Sequence, residues 1–130
     1  MPREAYVLVV DDDPEMLALV SKVLDAAGYQ VTTATDAWQE VVQAQGLRVG
    51  LVITDIQMPG GRSGVDAVRE LRALPTLSPQ LPVIFMTAMD LDAARRMVPF
   101  DPYVRIIGKP INFETLRAAI KELTGVDRPL

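Results

Sequence analysis

The sequence predicts an α/β fold, and three observations predict it. Short apolar runs of strand length recur along the chain, five in all. Stretches with apolar residues at helical spacing separate them. The residues with chemical potential follow the first, third, fourth and fifth of those runs, and one strand order brings them to a single edge. Alternation of strands and helices implies a parallel sheet covered on both faces, with right-handed crossovers. The expected architecture is therefore a flavodoxin-like (βα)5 three-layer sandwich with strand order 2-1-3-4-5.

Each element has its own local cause. Tyr6 to Val10 is a continuous apolar run and reads as a buried first strand. Asp11-Asp12-Asp13-Pro14 ends it, with Asp13 as N-cap and Pro14 at the first helical position. Met16, Leu17, Val20, Val23, Leu24 and Ala27 carry that helix to Gly28, a natural stop. Val31 to Ala34 is a short second strand. Asp36 caps a helix with Trp38, Val41, Val42 and Ala44, ending near Gly46. Leu51 to Asp55 is the third strand, and Met58-Pro59-Gly60 cannot continue it. The loop Gly60-Gly61-Arg62-Ser63-Gly64 leads to a helix with Val65, Val68, Leu71 and Leu74, and Ser63 is read as its cap. Val83 to Met86 is the fourth strand, followed by Thr87-Ala88. Asp90 caps a short helix with Ala93, Ala94 and Met97, and Pro99 and Pro102 break regular structure. Val104 to Ile107 is the fifth strand, terminated by Gly108-Lys109-Pro110. Asn112 caps the last helix, with Phe113, Leu116, Ile120 and Leu123, and Gly125 ends it.

Composition bounds the function. With 130 residues the chain fits one domain, residues 1–130, large enough to bury a core. No apolar run approaches the roughly 20 residues of a membrane helix, and Met-Pro-Arg-Glu leads directly into a strand, so no signal peptide is visible and no membrane partner is expected. There is no cysteine, which removes disulfides and thiol chemistry and fits a cytoplasmic protein. There is no histidine, which excludes Ser-His-Asp and Cys-His catalysis within the chain and argues against zinc. The net charge of -4 argues against direct nucleic-acid binding over the whole surface.

The chemistry converges at the expected strand edge. Asp11 and Asp12 follow strand one, Asp55 ends strand three, Thr87 follows strand four and Lys109 follows strand five. Two carboxylates at about 4 Å and an effective dielectric of about 20 repel by roughly 4 kcal/mol. Such a cluster needs cations, and Lys109 supplies one charge. A hard divalent ion suits the remainder: Mg²⁺ prefers one or two carboxylates, retains waters and binds phosphate oxygens well, with Mn²⁺ as the alternative. A carboxylate beside Mg²⁺, a lysine and a hydroxyl is equipped to accept a phosphoryl group. Asp55 would be the nucleophile, Lys109 would neutralise the incoming oxygens, and Thr87 would donate to the added group.

At this point the residues resemble the receiver domain of two-component response regulators, over about residues 6 to 124. The resemblance rests on Val9-Val10-Asp11-Asp12-Asp13-Pro14, on Thr54-Asp55 with Met58-Pro59-Gly60, on Met86-Thr87-Ala88 and on Lys109-Pro110. It implies that Asp55 is phosphorylated by a sensor histidine kinase or a histidine phosphotransfer protein. It implies that Asp12, Asp55 and the main-chain carbonyl of Gln57 bind Mg²⁺ directly, with Asp11 acting through water. It implies a cis Lys109-Pro110 bond, and a downstream protein effector or a fused output domain. Three stretches depart from the family pattern. Ile106 stands where the family has a Tyr or Phe switch. Val98-Pro99-Phe100-Asp101-Pro102 replaces the usual turn after the fourth helix. The Gly60 to Gly64 loop is one residue longer than the common form.

Other readings compete. Asp11-Asp12 alone reads equally as a solvated acidic turn; the lesser alternatives are an Asx-turn for Asp55, an exposed turn residue for Lys109 and a helix cap for Thr87. Trp38, Met86 and Met97 read as core or partly buried packing. Arg95, Arg96, Arg105, Arg117 and Lys121 read as a solvated face rather than a nucleic-acid patch. A phosphoacceptor domain is not an enzyme in the ordinary sense. One alternative is an interaction-only pseudo-receiver, kept in view by Ile106. Another is a Mg²⁺-dependent phosphohydrolase with an aspartyl nucleophile, which usually has a second acid two residues on, where Gln57 stands here. With no output domain within its 130 residues, the chain is expected to bind a partner, to pass phosphate along a relay, or to be a fragment of a longer protein.

Overall fold

Five parallel strands form one sheet, in the expected order 2-1-3-4-5 counted along the chain. The computed structural model describes residues 5–58 and 63–130. In chain order the elements are β1 (Tyr6–Val10), α1 (Pro14–Ala26), β2 (Gln30–Ala34), α2 (Ala37–Gln45), β3 (Val49–Asp55), α3 (Gly64–Arg72), β4 (Val83–Thr87), α4 (Leu91–Met97), β5 (Val104–Gly108) and α5 (Phe113–Thr124). The caps read from sequence close the helix ends. Asp13 accepts from the Glu15 amide, Asp36 from Gln39, Asp90 from Ala93, and Asn112 from Glu114 and Thr115. Ser63 and Asp66 form a reciprocal capping box on α3. Gly28 takes φ +93 after α1, a left-handed conformation that only glycine adopts cheaply. The longer loop expected at 60 to 64 lies largely outside the described residues.

Strand alternation builds two cores. Val7, Val9, Leu51, Ile53, Ile84 and Met86 face α1 and α5, where Val20, Leu24, Leu116 and Ile120 pack against them. Leu8, Val10, Val52, Val83 and Phe85 face the other way, toward Val41 and Ala44 of α2, Val68 and Leu71 of α3, and Ala94 of α4. That is the three-layer sandwich. Among the described residues, no helix is long and apolar enough to cross a membrane.

Two packing expectations need correction. Met86 is fully buried, but Trp38 is 67% exposed and Met97 44% exposed. In α2 the inward positions are Ala37, Glu40, Val41 and Ala44, which repeat at three and four residues. Trp38 lies about 100° round the helix from Ala37 and turns to solvent with Val42. An acid, Glu40, takes a core position instead.

Candidate functional site

The sheet order places the C-terminal ends of β1, β3, β4 and β5 side by side, so that polar residues at or just beyond those ends share one edge of the sheet. Asp11 comes directly after β1; its amide donates to the Ala34 carbonyl of β2 at 3.2 Å, and its Oδ1 accepts from the Asp13 amide at 2.9 Å. Those bonds fix a fully buried carboxylate. Asp55 is the last residue of β3, and its Oδ1 accepts from the Gln57 amide at 3.2 Å, the Asx-turn geometry. Next to Asp11, Asp12 is exposed, and its carboxylate takes no partner among the described residues. One ligand oxygen from each of Asp11, Asp12 and Asp55 lies within 4.8 Å of the others.

Lys109 reaches this cluster from beyond β5. Its Nζ donates to Asp11 Oδ2 at 2.8 Å and to Asp55 Oδ2 at 2.7 Å. Burial by itself works against the Lys109 charge. The hydrogen bonds and charges of Asp11 and Asp55 outweigh it and hold the ammonium above the usual lysine range. Its amide donates to the Thr87 carbonyl at 2.8 Å, so the β4 and β5 ends are tied together, and the Lys109-Pro110 bond is cis. Thr87 is buried, and its hydroxyl accepts from the Met89 amide at 2.9 Å, within its own turn. Gln57 sits exposed after the strand and pairs as an isolated bridge with Ser63.

Three carboxylates against one ammonium leave a local excess of negative charge, and every donor in the cluster is an oxygen. That set fits a hard divalent cation of the Mg²⁺ type. The arginines and lysine near α4, β5 and α5 face solvent in ion pairs: Arg95 with Asp92, Arg105 with Glu122, and Arg117 and Lys121 with Asp127.

One polar residue beside the site escaped the sequence reading. On the opposite side of β3 from Asp55, the Thr54 hydroxyl lies 3.4 Å from Glu40 Oε2 and 3.2 Å from the Asp55 main-chain oxygen. Glu40 is fully buried, and burial raises its carboxyl to about 8, with the Thr54 bond partly opposing. Its Oε1 has no hydrogen-bond partner among the described residues. The signal was present in the spacing of Ala37, Glu40, Val41 and Ala44.

The response regulator receiver domain model matches residues 7–121. The transcriptional regulatory protein CpxR of Klebsiella pneumoniae is 32% identical over 120 residues, covering 90% of this chain and 48% of that protein. The sensor protein GacS of Pseudomonas syringae is 31% identical over 126 residues, covering 95% of this chain and 14% of that protein. This chain therefore spans less than half the length of either relative. Among solved structures, the receiver domain of the sensor histidine kinase PA1611 from Pseudomonas aeruginosa superposes with a TM-score of 0.79 at 26% identity, covering 94% of this chain and 98% of that one. That structure is described with a magnesium ion coordinated in its active-site cleft.

Proposed function

The chain belongs to the response regulator receiver domain family, and on that premise we propose that Asp55 accepts a phosphoryl group from a sensor histidine kinase or a histidine phosphotransfer protein. The observation that carries this reading is the Lys109 ammonium, 2.7 Å from Asp55 and 2.8 Å from Asp11. A carboxylate oxygen of Asp55 attacks phosphorus and forms an acyl phosphate. The bond from phosphorus to the donor's nitrogen or oxygen breaks, and its electron pair leaves with the donor. Lys109 exchanges one of its carboxylate contacts for a phosphoryl oxygen and so offsets the added charge. Asp11, Asp12 and Asp55, with the Gln57 main-chain carbonyl, would hold Mg²⁺ or Mn²⁺. The ion, when bound, supplies positive charge to the phosphoryl oxygens. For Thr87 to donate to the phosphoryl group, its hydroxyl turns toward it while still accepting from Met89.

Residues 1–130 act as one receiver unit in the cytoplasm, and phosphorylation alters binding to a downstream protein or to a fused output domain. CpxR is a transcriptional regulator and GacS a sensor, so both kinds of longer protein occur among relatives of this chain. Ile106 supports a second reading, an interaction-only domain, because an aliphatic side chain stands at the family's aromatic switch position.

Incubation with acetyl phosphate and Mg²⁺ tests these readings. The expected result is a stable phosphoryl adduct that disappears in Asp55→Asn. Absence of labelling would favour the interaction-only reading. Continuous release of phosphate from a metabolite would favour a phosphohydrolase.

A further inference from the structure

We propose that Glu40 is a positioning residue for phosphoryl acceptance, holding the Asp55 main chain through Thr54 as an uncharged hydrogen-bond donor. The inference rests on the reading of Asp55 as phosphoacceptor. It begins from one hydroxyl with two neighbours. Thr54 Oγ1 lies 3.4 Å from Glu40 Oε2 and 3.2 Å from the Asp55 carbonyl oxygen. A threonine hydroxyl has a single proton to donate. If Glu40 is ionised, that proton goes to Glu40, and the Asp55 carbonyl loses its donor. If Glu40 is protonated, its own proton goes to Thr54, and the hydroxyl is free to serve Asp55. The charge on Glu40 therefore decides whether the acceptor's carbonyl is held.

The surroundings favour the neutral form. Glu40 has no exposure, its Oε1 is unpartnered, and no cation among the described residues contacts it. An isolated buried carboxylate takes up a proton rather than remain charged. The packed elements offer no compensation. β2 carries no ionisable side chain, and β1 has only Tyr6 at its far end. Beyond β1 and at the end of β3, Asp11 and Asp55 are engaged by Lys109. On α3, Asp66 is paired with Ser63 and Arg69, Arg72 with Asp101 and the Leu81 carbonyl, and Glu70 is a half-buried acid. On α2 the other acid is the N-cap Asp36, bound to the Gln39 amide.

The Asp55 carbonyl is also gripped from α3. A Cβ built on Gly64 would stand 2.0 Å from the Asp55 oxygen and 3.2 Å from Thr54 Oγ1. The carbonyl is thus wedged between a helix backbone and one hydroxyl. A lost donor there changes the strand end that aims the carboxylate.

The test compares wild type, Glu40→Gln, Glu40→Leu and Thr54→Val for the rate of Asp55 phosphorylation by acetyl phosphate with Mg²⁺, across pH 6 to 9.5 as a chosen range. One net hydrogen bond corresponds to about a two- to tenfold effect. Wild type should slow by that factor as pH rises through about 8. Glu40→Gln, whose amide donates at every pH, should lack that alkaline limb. Glu40→Leu and Thr54→Val should be slow throughout and should lack it too. An identical alkaline limb in wild type and Glu40→Gln would overturn the proposal. A second readout does not need phosphorylation: the ¹³C shifts of the Glu40 carboxyl and the Asp55 carbonyl against pH. Joint titration, lost in Thr54→Val, supports the relay. An ionised Glu40 at neutral pH, or an Asp55 carbonyl indifferent to it, overturns the proposal even if Asp55 accepts no phosphate. Failure to phosphorylate any variant, with joint titration intact, would count against the acceptor reading alone.

Discussion

Strand β3 separates two carboxyl groups that follow opposite rules. On one side Asp55, at the strand's end, is set against an ammonium 2.7 Å away and shares it with Asp11. On the other, Glu40 faces only the Thr54 hydroxyl and has one oxygen with no partner among the described residues. Both acids are largely removed from water. The difference is the cation. A buried charge beside its counter-charge keeps a large part of the energy that desolvation costs, and a lone one is neutralised instead. Burial alone therefore says little about what an acid does; its partners decide whether it keeps its charge or takes up a proton.

The comparison can be broken most severely by pH. Folded Glu40 holds a proton up to about 8, whereas the unfolded chain releases it near the ordinary 4.5. The folded state binds the extra proton within that window, so stability is highest below it, falls as pH rises through it, and is level above. The loss is at most about 5 kcal/mol, at about 1.4 kcal/mol per pH unit. Urea midpoints measured from pH 4 to 9 should show this slope in wild type, and Glu40→Gln should flatten it.

A methyl group tests the wedge between the two sides. Gly64→Ala places a Cβ against backbone, so α3 must shift, at a cost of about 3 kcal/mol in a thermal or urea melt. An unchanged melt would show that α3 yields freely. On the charged side, Lys109→Ala removes the ammonium that Asp11 and Asp55 share. Phosphoryl acceptance should fall on the order of 10²-fold, measured as adduct formed from acetyl phosphate.

Smaller changes sharpen the contrast. Asp12→Ala removes an exposed carboxylate from the cluster, and Mg²⁺ affinity by fluorescence or calorimetry should weaken by at least about tenfold. Unchanged affinity would remove Asp12 from the metal site. Ile106→Tyr enlarges a half-buried β5 side chain packed against the core and should cost about 1 kcal/mol of stability, with little effect on acceptance. A large gain in phosphorylation-dependent partner binding would show that only the aromatic ring was missing from a working switch.

Much of this is legible in the sequence. Asp13-Pro14, Asp36, Ser63, Asp90 and Asn112 cap the helices they were read to cap, because capping depends on a side chain and amides two or three residues on. The cluster of Asp11, Asp12, Asp55 and Lys109 was legible once the strand order was assigned. Helix α2 is less legible. By residue type Trp38 and Val42 belong inward, yet both are exposed, and Glu40 is buried. Helical spacing from Ala37 places that acid inward, against its residue type.

The sequence by itself determined the elements, their caps and the strand tips on which the acids stand, since these depend on neighbours within a few residues. Only the tertiary structure decided the partnerships. Lys109 meets Asp11 across 98 residues and Asp55 across 54, and Glu40 meets Thr54 across 14. Whether a buried acid finds an ammonium or only a hydroxyl is settled by which strands lie side by side and what packs against the helix face that carries it. No local pattern carries that information, because the energy of a buried charge depends on everything packed around it.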